Sequence, residues 1–175
     1  MRRYEAVNTR AVSTADIEVE LERLHGAGFA WALVCCRRDR EEAEDVLQTT
    51  YLKILDGRAV FAGRSSFKTF LFGVIRRTAS ESRRRRILPD LFLARGRQDA
   101  PPAVPVPEER LALLSALDRL PRRQRQVLQL VFYVGLTVDE AAETLGVSPG
   151  SARVHYDRGK KRLANWLGIS GREER

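Results

Sequence analysis

The side chains best equipped for chemistry in this 175-residue sequence are arginines, and they come in two runs. One run, Arg153, His155, Arg158, Lys160, Lys161 and Arg162, follows a Ser148-Pro149 pair. Arginine presents a planar fork of donors that pairs two-pronged with guanine edges or with phosphate. Arg153 and Arg158 are therefore candidate base-edge or phosphate readers, and His155 is a further candidate for nucleic acid. Lys160, Lys161 and Arg162 lie further along and suit phosphates. The second run is Arg76, Arg77, Arg83, Arg84, Arg85 and Arg86. Opposed to both in sign is a polar stripe of Glu41, Glu42, Glu44 and Asp45 with Gln48 and Thr49. Its acidic character suits a basic partner surface.

Covalent chemistry is not indicated. Two histidines and the adjacent Cys35 and Cys36 supply no spaced set of metal ligands, and no Ser-His-Asp or phosphate-loop spacing occurs. No enzymatic activity, cofactor or metal is expected. Neighbouring cysteines rarely reach disulfide geometry without strain, so both read as reduced thiols on a helix in a cytoplasmic protein. The apolar run from Phe29 to Cys36 is too short to span a membrane, and no secretory pattern precedes it.

Lys and Arg number 31 against 23 Asp and Glu, a formal charge of +8. Such an excess draws polyanions through long-range fields and counterion release, which makes nucleic acid the first partner to consider and an anionic membrane the second. A hydrophobic share of 43% is enough to bury a core.

The elements that must position these groups are helical. Ile17 to Cys36 reads as a helix weakened by Gly26 and Gly28. Glu41 to Leu55 places Ala43, Val46, Leu47, Tyr51, Ile54 and Leu55 on one face, with acidic first turns that the helix dipole favours. Asp56-Gly57 ends it, and a polar loop occupies 62–66. A third helix is predicted from Phe67 to Arg86, with Phe67, Phe70, Leu71, Val74 and Ile75 as its apolar stripe. Pro89, Pro101, Pro102, Pro105 and Pro107 then forbid regular helix and predict a linker over 88–107. Beyond it, Leu111, Leu114, Leu117 and Leu120 recur every three residues. Pro121 suits the start of a helix that carries Val127, Leu128, Val131 and Phe132 inward. The expectation is an all-α chain of two small helical domains, 14–87 and 108–170, joined by the proline-rich linker.

Leu136 to Leu163 carries the most specific pattern. Thr137 followed by Glu140 has capping-box spacing. Ala141 and Ala142 are small enough for a second helix to cross closely, and Leu145 anchors the core. Gly146 stands where a short turn needs positive φ, and Ser148-Pro149 is a cap followed by a first helical position. A buried helix, a glycine turn and an exposed basic helix make a helix-turn-helix, whose second helix enters the major groove. Gly159 predicts fraying of that helix beyond it, since glycine costs about 1 kcal/mol relative to alanine.

Two segments together resemble one family. Leu120-Pro121-Arg122-Arg123-Gln124-Arg125-Gln126-Val127-Leu128, with Gly135-Leu136-Thr137-Val138-Asp139-Glu140-Ala141-Ala142, is similar to region 4 of bacterial sigma factors. Glu42 to Tyr51 resembles their polymerase-binding helix, and Ser66 to Arg76 resembles the helix that melts and reads the −10 element. With no segment resembling region 1 or a folded region 3, the resemblance points to the extracytoplasmic-function (ECF) group. It implies core RNA polymerase, promoter DNA and an anti-sigma factor as partners. It further implies polymerase binding by Glu44, Asp45, Gln48 and Thr49. The −10 element would meet Phe61, Arg64, Ser65, Lys68, Arg76, Arg77, Arg83 and Arg84, with Phe61 and the loop 62–66 bordering a pocket for a flipped base. The −35 element would meet Ser151, Arg153, Val154, His155, Arg158 and Lys161. Arg77, Gly73, Val154 and Asp157 depart from residues frequent in the family, which bears on the promoter letters. The rival readings are a helix-turn-helix regulator that acts without polymerase, and an adaptor for an acidic partner.

Overall fold

The computed structural model describes residues 14–87 and 108–168; the predicted linker 88–107 and the end of the second predicted domain lie outside them. Seven helices make up the described residues: α1 (Thr14–Cys35), α2 (Arg40–Leu55), α3 (Phe67–Ile87), α4 (Glu108–Arg119), α5 (Arg122–Leu128, continued as a π-turn by Gln129–Tyr133), α6 (Val138–Leu145) and α7 (Pro149–Trp166).

The first three helices pack on one another. Asp39 caps α2, its carboxylate accepting from the Glu42 amide at 2.9 Å. Ala43, Val46, Leu47 and Ile54 are then buried along one stripe, as the spacing predicts. Leu55, predicted on that stripe, is exposed instead, at the last position of the helix. Trp31 of α1 is almost fully enclosed, and its indole N–H donates to the Phe72 carbonyl of α3 at 3.1 Å. That bond satisfies the one polar atom of a large buried side chain. Gly28 does not weaken α1. It is the crossing point of the bundle, since a Cβ there would stand 3.4 Å from Leu47 and 3.5 Å from Ile75.

The later helices form a second bundle, with α7 lying against α5 and α6. The inward placement of Phe132 is corrected by the structure, in which it is 65% exposed. The cause is the π-turn: the Val134 amide reaches back five residues to the Gln129 carbonyl at 3.1 Å. An i→i+5 turn is wider than an α-helical one, so side chains within it, Phe132 among them, depart from the 3.6-residue register. Fraying beyond Gly159 is also overturned, for α7 continues to Trp166. Gly159 is buried, and a Cβ there would come within 2.8 Å of Leu128. The glycine lets two helices touch, and the packing outweighs its poor helix propensity.

The two bundles share one hydrophobic core, and α3 packs against α6. Across that seam Arg76 Nε donates to the Thr144 carbonyl at 2.8 Å, and Thr69 Oγ1 and Ser66 Oγ each lie 3.4 Å from a Glu140 oxygen. At the rim, Arg38 pairs with Asp118 of α4 at 3.1 Å.

Candidate nucleic-acid interface

The helix-turn-helix is built from local capping. Thr137 Oγ1 accepts from the Glu140 amide at 3.2 Å, and a Glu140 oxygen accepts from the Thr137 amide at 2.8 Å. This backbone bond, ahead of the hydroxyl bonds from Thr137, Thr69 and Ser66, holds the Glu140 carboxyl below its ordinary range. Gly146 adopts φ 60°, the left-handed conformation that lets α6 stop and the chain turn at once. Ser148 caps α7, accepting from the Ser151 amide at 3.2 Å, with Pro149 in the first turn. Ala141, Ala142 and Ala152 are buried where the two helices cross.

The exposed face of α7 presents Ser151, Arg153, Val154, Arg158 and Lys161 together, with Asp157 among them. Arg153 is anchored: its Nη2 donates to both Asp139 oxygens, at 2.9 and 3.1 Å. Arg158 and Lys161 carry no ion pair among the described residues. His155 is half-buried, and its Nδ1 lies buried with no hydrogen-bond partner among the described residues. Beside the face, Tyr156 stacks on Phe132 with ring centroids 5.8 Å apart, and Lys160 lies over the Tyr156 ring.

The arginines of α3 are distributed over different surfaces. Arg77 lines a pocket of about 390 Å³ with Lys53, Arg58, Ala59, Val60, Phe70, Val74, Thr78 and Glu81. Its guanidinium lies back over Gly73, where a Cβ would stand 3.4 Å from Arg77 Nη1. The two departures from the family pattern are thus one feature: the missing side chain at 73 leaves room for the guanidinium. Arg76 faces the α6 seam, and Arg83 Nη2 donates to the Cys35 carbonyl at 2.7 Å. Arg84 and Arg64 are exposed, while Ser65 and Lys68 are half-buried. Phe61 packs against Phe67 and Phe70, with centroids 5.4 Å away from each. Phe70 alone connects that aromatic cluster to the pocket lining.

On α2, Glu44, Asp45, Gln48 and Thr49 share an exposed face. Leu52 extends it by a turn and is 49% exposed. Sequence reasoning assigned Leu52 to neither the apolar stripe nor the acidic face. It missed Arg58, Ala59 and Val60 because nothing in a short polar connection marks a pocket wall. Cys35 and Cys36 are buried and unpaired, and burial pushes both thiols up to about 12, which leaves them inert near neutral pH. No helix among the described residues is long and apolar enough to cross a membrane.

Comparison with known proteins agrees with this layout. Residues 23–87 match the family model for Sigma-70 region 2, and residues 110–163 match the model for Sigma-70, region 4. The chain is 32% identical to the ECF RNA polymerase sigma factor SigX of Bacillus subtilis over 137 residues, 72% of this chain and 71% of that one. It is 30% identical to the RNA polymerase sigma factor CarQ of Myxococcus xanthus, over 72% of this chain and 75% of that one. Its fold is similar to that of the sigma factor RpoE from Bartonella quintana, solved with the anti-sigma factor NepR (TM-score 0.71, 24% identity, 89% of this chain and 99% of that one). The fold of CnrH, solved with the cytosolic domain of CnrY, is also similar (TM-score 0.61, 22% identity, 91% and 92% covered). With both regions present in this order, the chain belongs to the ECF group of RNA polymerase sigma factors, non-enzymatic proteins of promoter-directed transcription initiation.

Proposed function

We propose that this sigma factor divides its work between two domains, 14–87 and 108–170, joined through the linker 88–107. The exposed face of Glu44, Asp45, Gln48, Thr49 and Leu52 docks on core RNA polymerase. The α7 face of Ser151, Arg153, Val154, His155, Arg158 and Lys161 reads duplex −35 DNA. The pocket beside α3 receives an unpaired −10 base, with Arg77 at its wall and Phe70 as an aromatic surface. Arg64, Ser65, Lys68 and Arg84 follow the strand, and Phe61 braces the loop. Stacking and donor pairing inside such a pocket offset part of the few kcal/mol that unstacking a base costs. Tethering both domains on one polymerase raises their effective concentration and makes two weak contacts selective. The protein acts in the cytoplasm and is held in check there by an anti-sigma factor.

The observation that carries this reading is the coexistence, on one chain, of a capped helix-turn-helix and a pocket beside α3 that Arg77 and Phe70 line. A regulator acting without polymerase leaves the pocket and the α2 face unused. The test is promoter-specific transcription by core polymerase supplied with the purified chain. Runoff product from promoters selected out of random DNA is expected; folded, inhibitor-free protein that yields none would sink the proposal.

A further inference from the structure

Helical spacing puts Phe70, Val74, Arg77 and Glu81 of α3 on one face, and that face forms one wall of the pocket. The other wall comes from Lys53 in the last turn of α2 and from Arg58, Ala59 and Val60 beyond it. Three cations stand along these walls, and two of them are committed. Lys53 Nζ donates to a Glu81 oxygen at 2.6 Å and to Thr78 Oγ1 at 3.2 Å. Arg58 Nη2 pairs with Asp56 at 2.8 Å. Arg77 has neither an ion pair nor a hydrogen bond among the described residues.

What the pocket can hold follows from its lining. Phe70, Val74, Ala59 and Val60 give it apolar and aromatic surface, and the Glu81 carboxylate is part of the same wall. A carboxylate repels a phosphate, whereas a base brings a π-face for Phe70 and an uncharged edge for the polar groups. The guanidinium of Arg77 is folded back along the helix over Gly73. A Cβ at residue 73 would stand 3.4 Å from Arg77 Nη1 and 4.0 Å from both Cζ and Nη2. The whole planar group therefore lies against the helix surface beside the pocket, where the missing side chain leaves it room.

We propose that Arg77 selects the base taken into this pocket, favouring one with two adjacent acceptors, guanine or cytosine, over adenine and thymine. The inference rests on the proposal above that the pocket receives an unpaired −10 base. A guanidinium fork donates two parallel N–H bonds and accepts none. Guanine meets it with O6 and N7, and an unpaired cytosine with O2 and N3. Adenine sets its amino group beside N7 and N1, and thymine sets N3–H between its two carbonyls. With either of those bases, one arm of the fork faces a donor or nothing.

Promoters recovered from random DNA by the holoenzyme, then randomised across the −10 element, supply the test. Core polymerase carrying the full chain, wild type or variant, transcribes the pool, and the templates used are sequenced. With the wild type, one −10 position is enriched about tenfold for guanine or cytosine, the discrimination that a two-pronged pair confers. Arg77→Ala makes that position degenerate and leaves the preferences at the other positions in place. Arg77→Lys, which keeps the charge but not the fork, does the same. Arg77 is exposed, so both variants fold, and melting followed by circular dichroism checks that they do. A wild type without such a position overturns the proposal, as does a preference that survives in either variant. Failure to initiate on any template sinks the transcriptional reading along with this one; initiation without the preference sinks only the role of Arg77.

Discussion

Arg158 and Arg153 are both exposed on α7, but they start from different states. Arg158 makes no ion pair among the described residues, whereas Arg153 is paired with Asp139 and, in the proposed −35 contact, would have to exchange or share it. A guanidinium on a base edge or phosphate contributes about 1–3 kcal/mol, so Arg158→Ala should weaken −35 binding by that amount. Arg153→Ala should cost less, and Asp139→Ala should shift affinity upward. Titration of a −35 duplex with each variant at fixed salt measures all three, and equal losses for the two arginines would contradict the difference in their pairing. Gly159 makes a prediction opposite to helix propensity. Alanine there gains about 1 kcal/mol of propensity but places a methyl 2.8 Å from Leu128. Overpacking of this kind costs about 1–3 kcal/mol, so Gly159→Ala should lower the melting temperature.

At the scale of the element, the capping box of α6 also touches α3. The amide of Thr137 is the main cause of the low Glu140 carboxyl, and hydroxyls of Thr69 and Ser66 in the first bundle add to it. A group whose folded value is depressed contributes stability above its unfolded value, near 4.5 for this residue, and that contribution is lost as pH falls through the folded value. Stability should therefore decline below about pH 4.5 partly through Glu140. In Glu140→Gln that part of the decline disappears, along with some stability at neutral pH. Melting curves from pH 7 down to pH 3 on both proteins check this. A Gln variant with an unchanged acid limb would refute the assignment.

For the whole molecule, the seam between α3 and α6 encloses side chains that the family resemblance assigns to the −10 element. Arg76 is the clearest case, donating to the Thr144 carbonyl from a partly buried position. Arg76→Ala leaves a buried carbonyl without its donor, a loss of about 1–3 kcal/mol. The variant should melt earlier and show a larger radius of gyration by X-ray scattering, with helix content by circular dichroism retained. An unchanged radius would mean that the seam is held elsewhere.

The sequence alone determined the helices, their two groups and the helix-turn-helix, because these rest on local rules. Apolar spacing along α2, the Thr137–Glu140 box, Gly146 and Ser148-Pro149 each act within a few residues, and each is found as read except at Leu55, the last residue of α2. The family was legible for the same reason, since its motifs are short and ordered along the chain. Only the tertiary structure decided which way the arginines of α3 face: Arg76 and Arg77 are adjacent, yet one meets α6 and the other lines a pocket. It also decided the exposure of Phe132, through a π-turn with no local signature, and the roles of Gly28 and Gly159 as helix crossings. Periodicity tells which residues share a face of a helix. What that face meets depends on residues far away in sequence, and no local pattern encodes the partner.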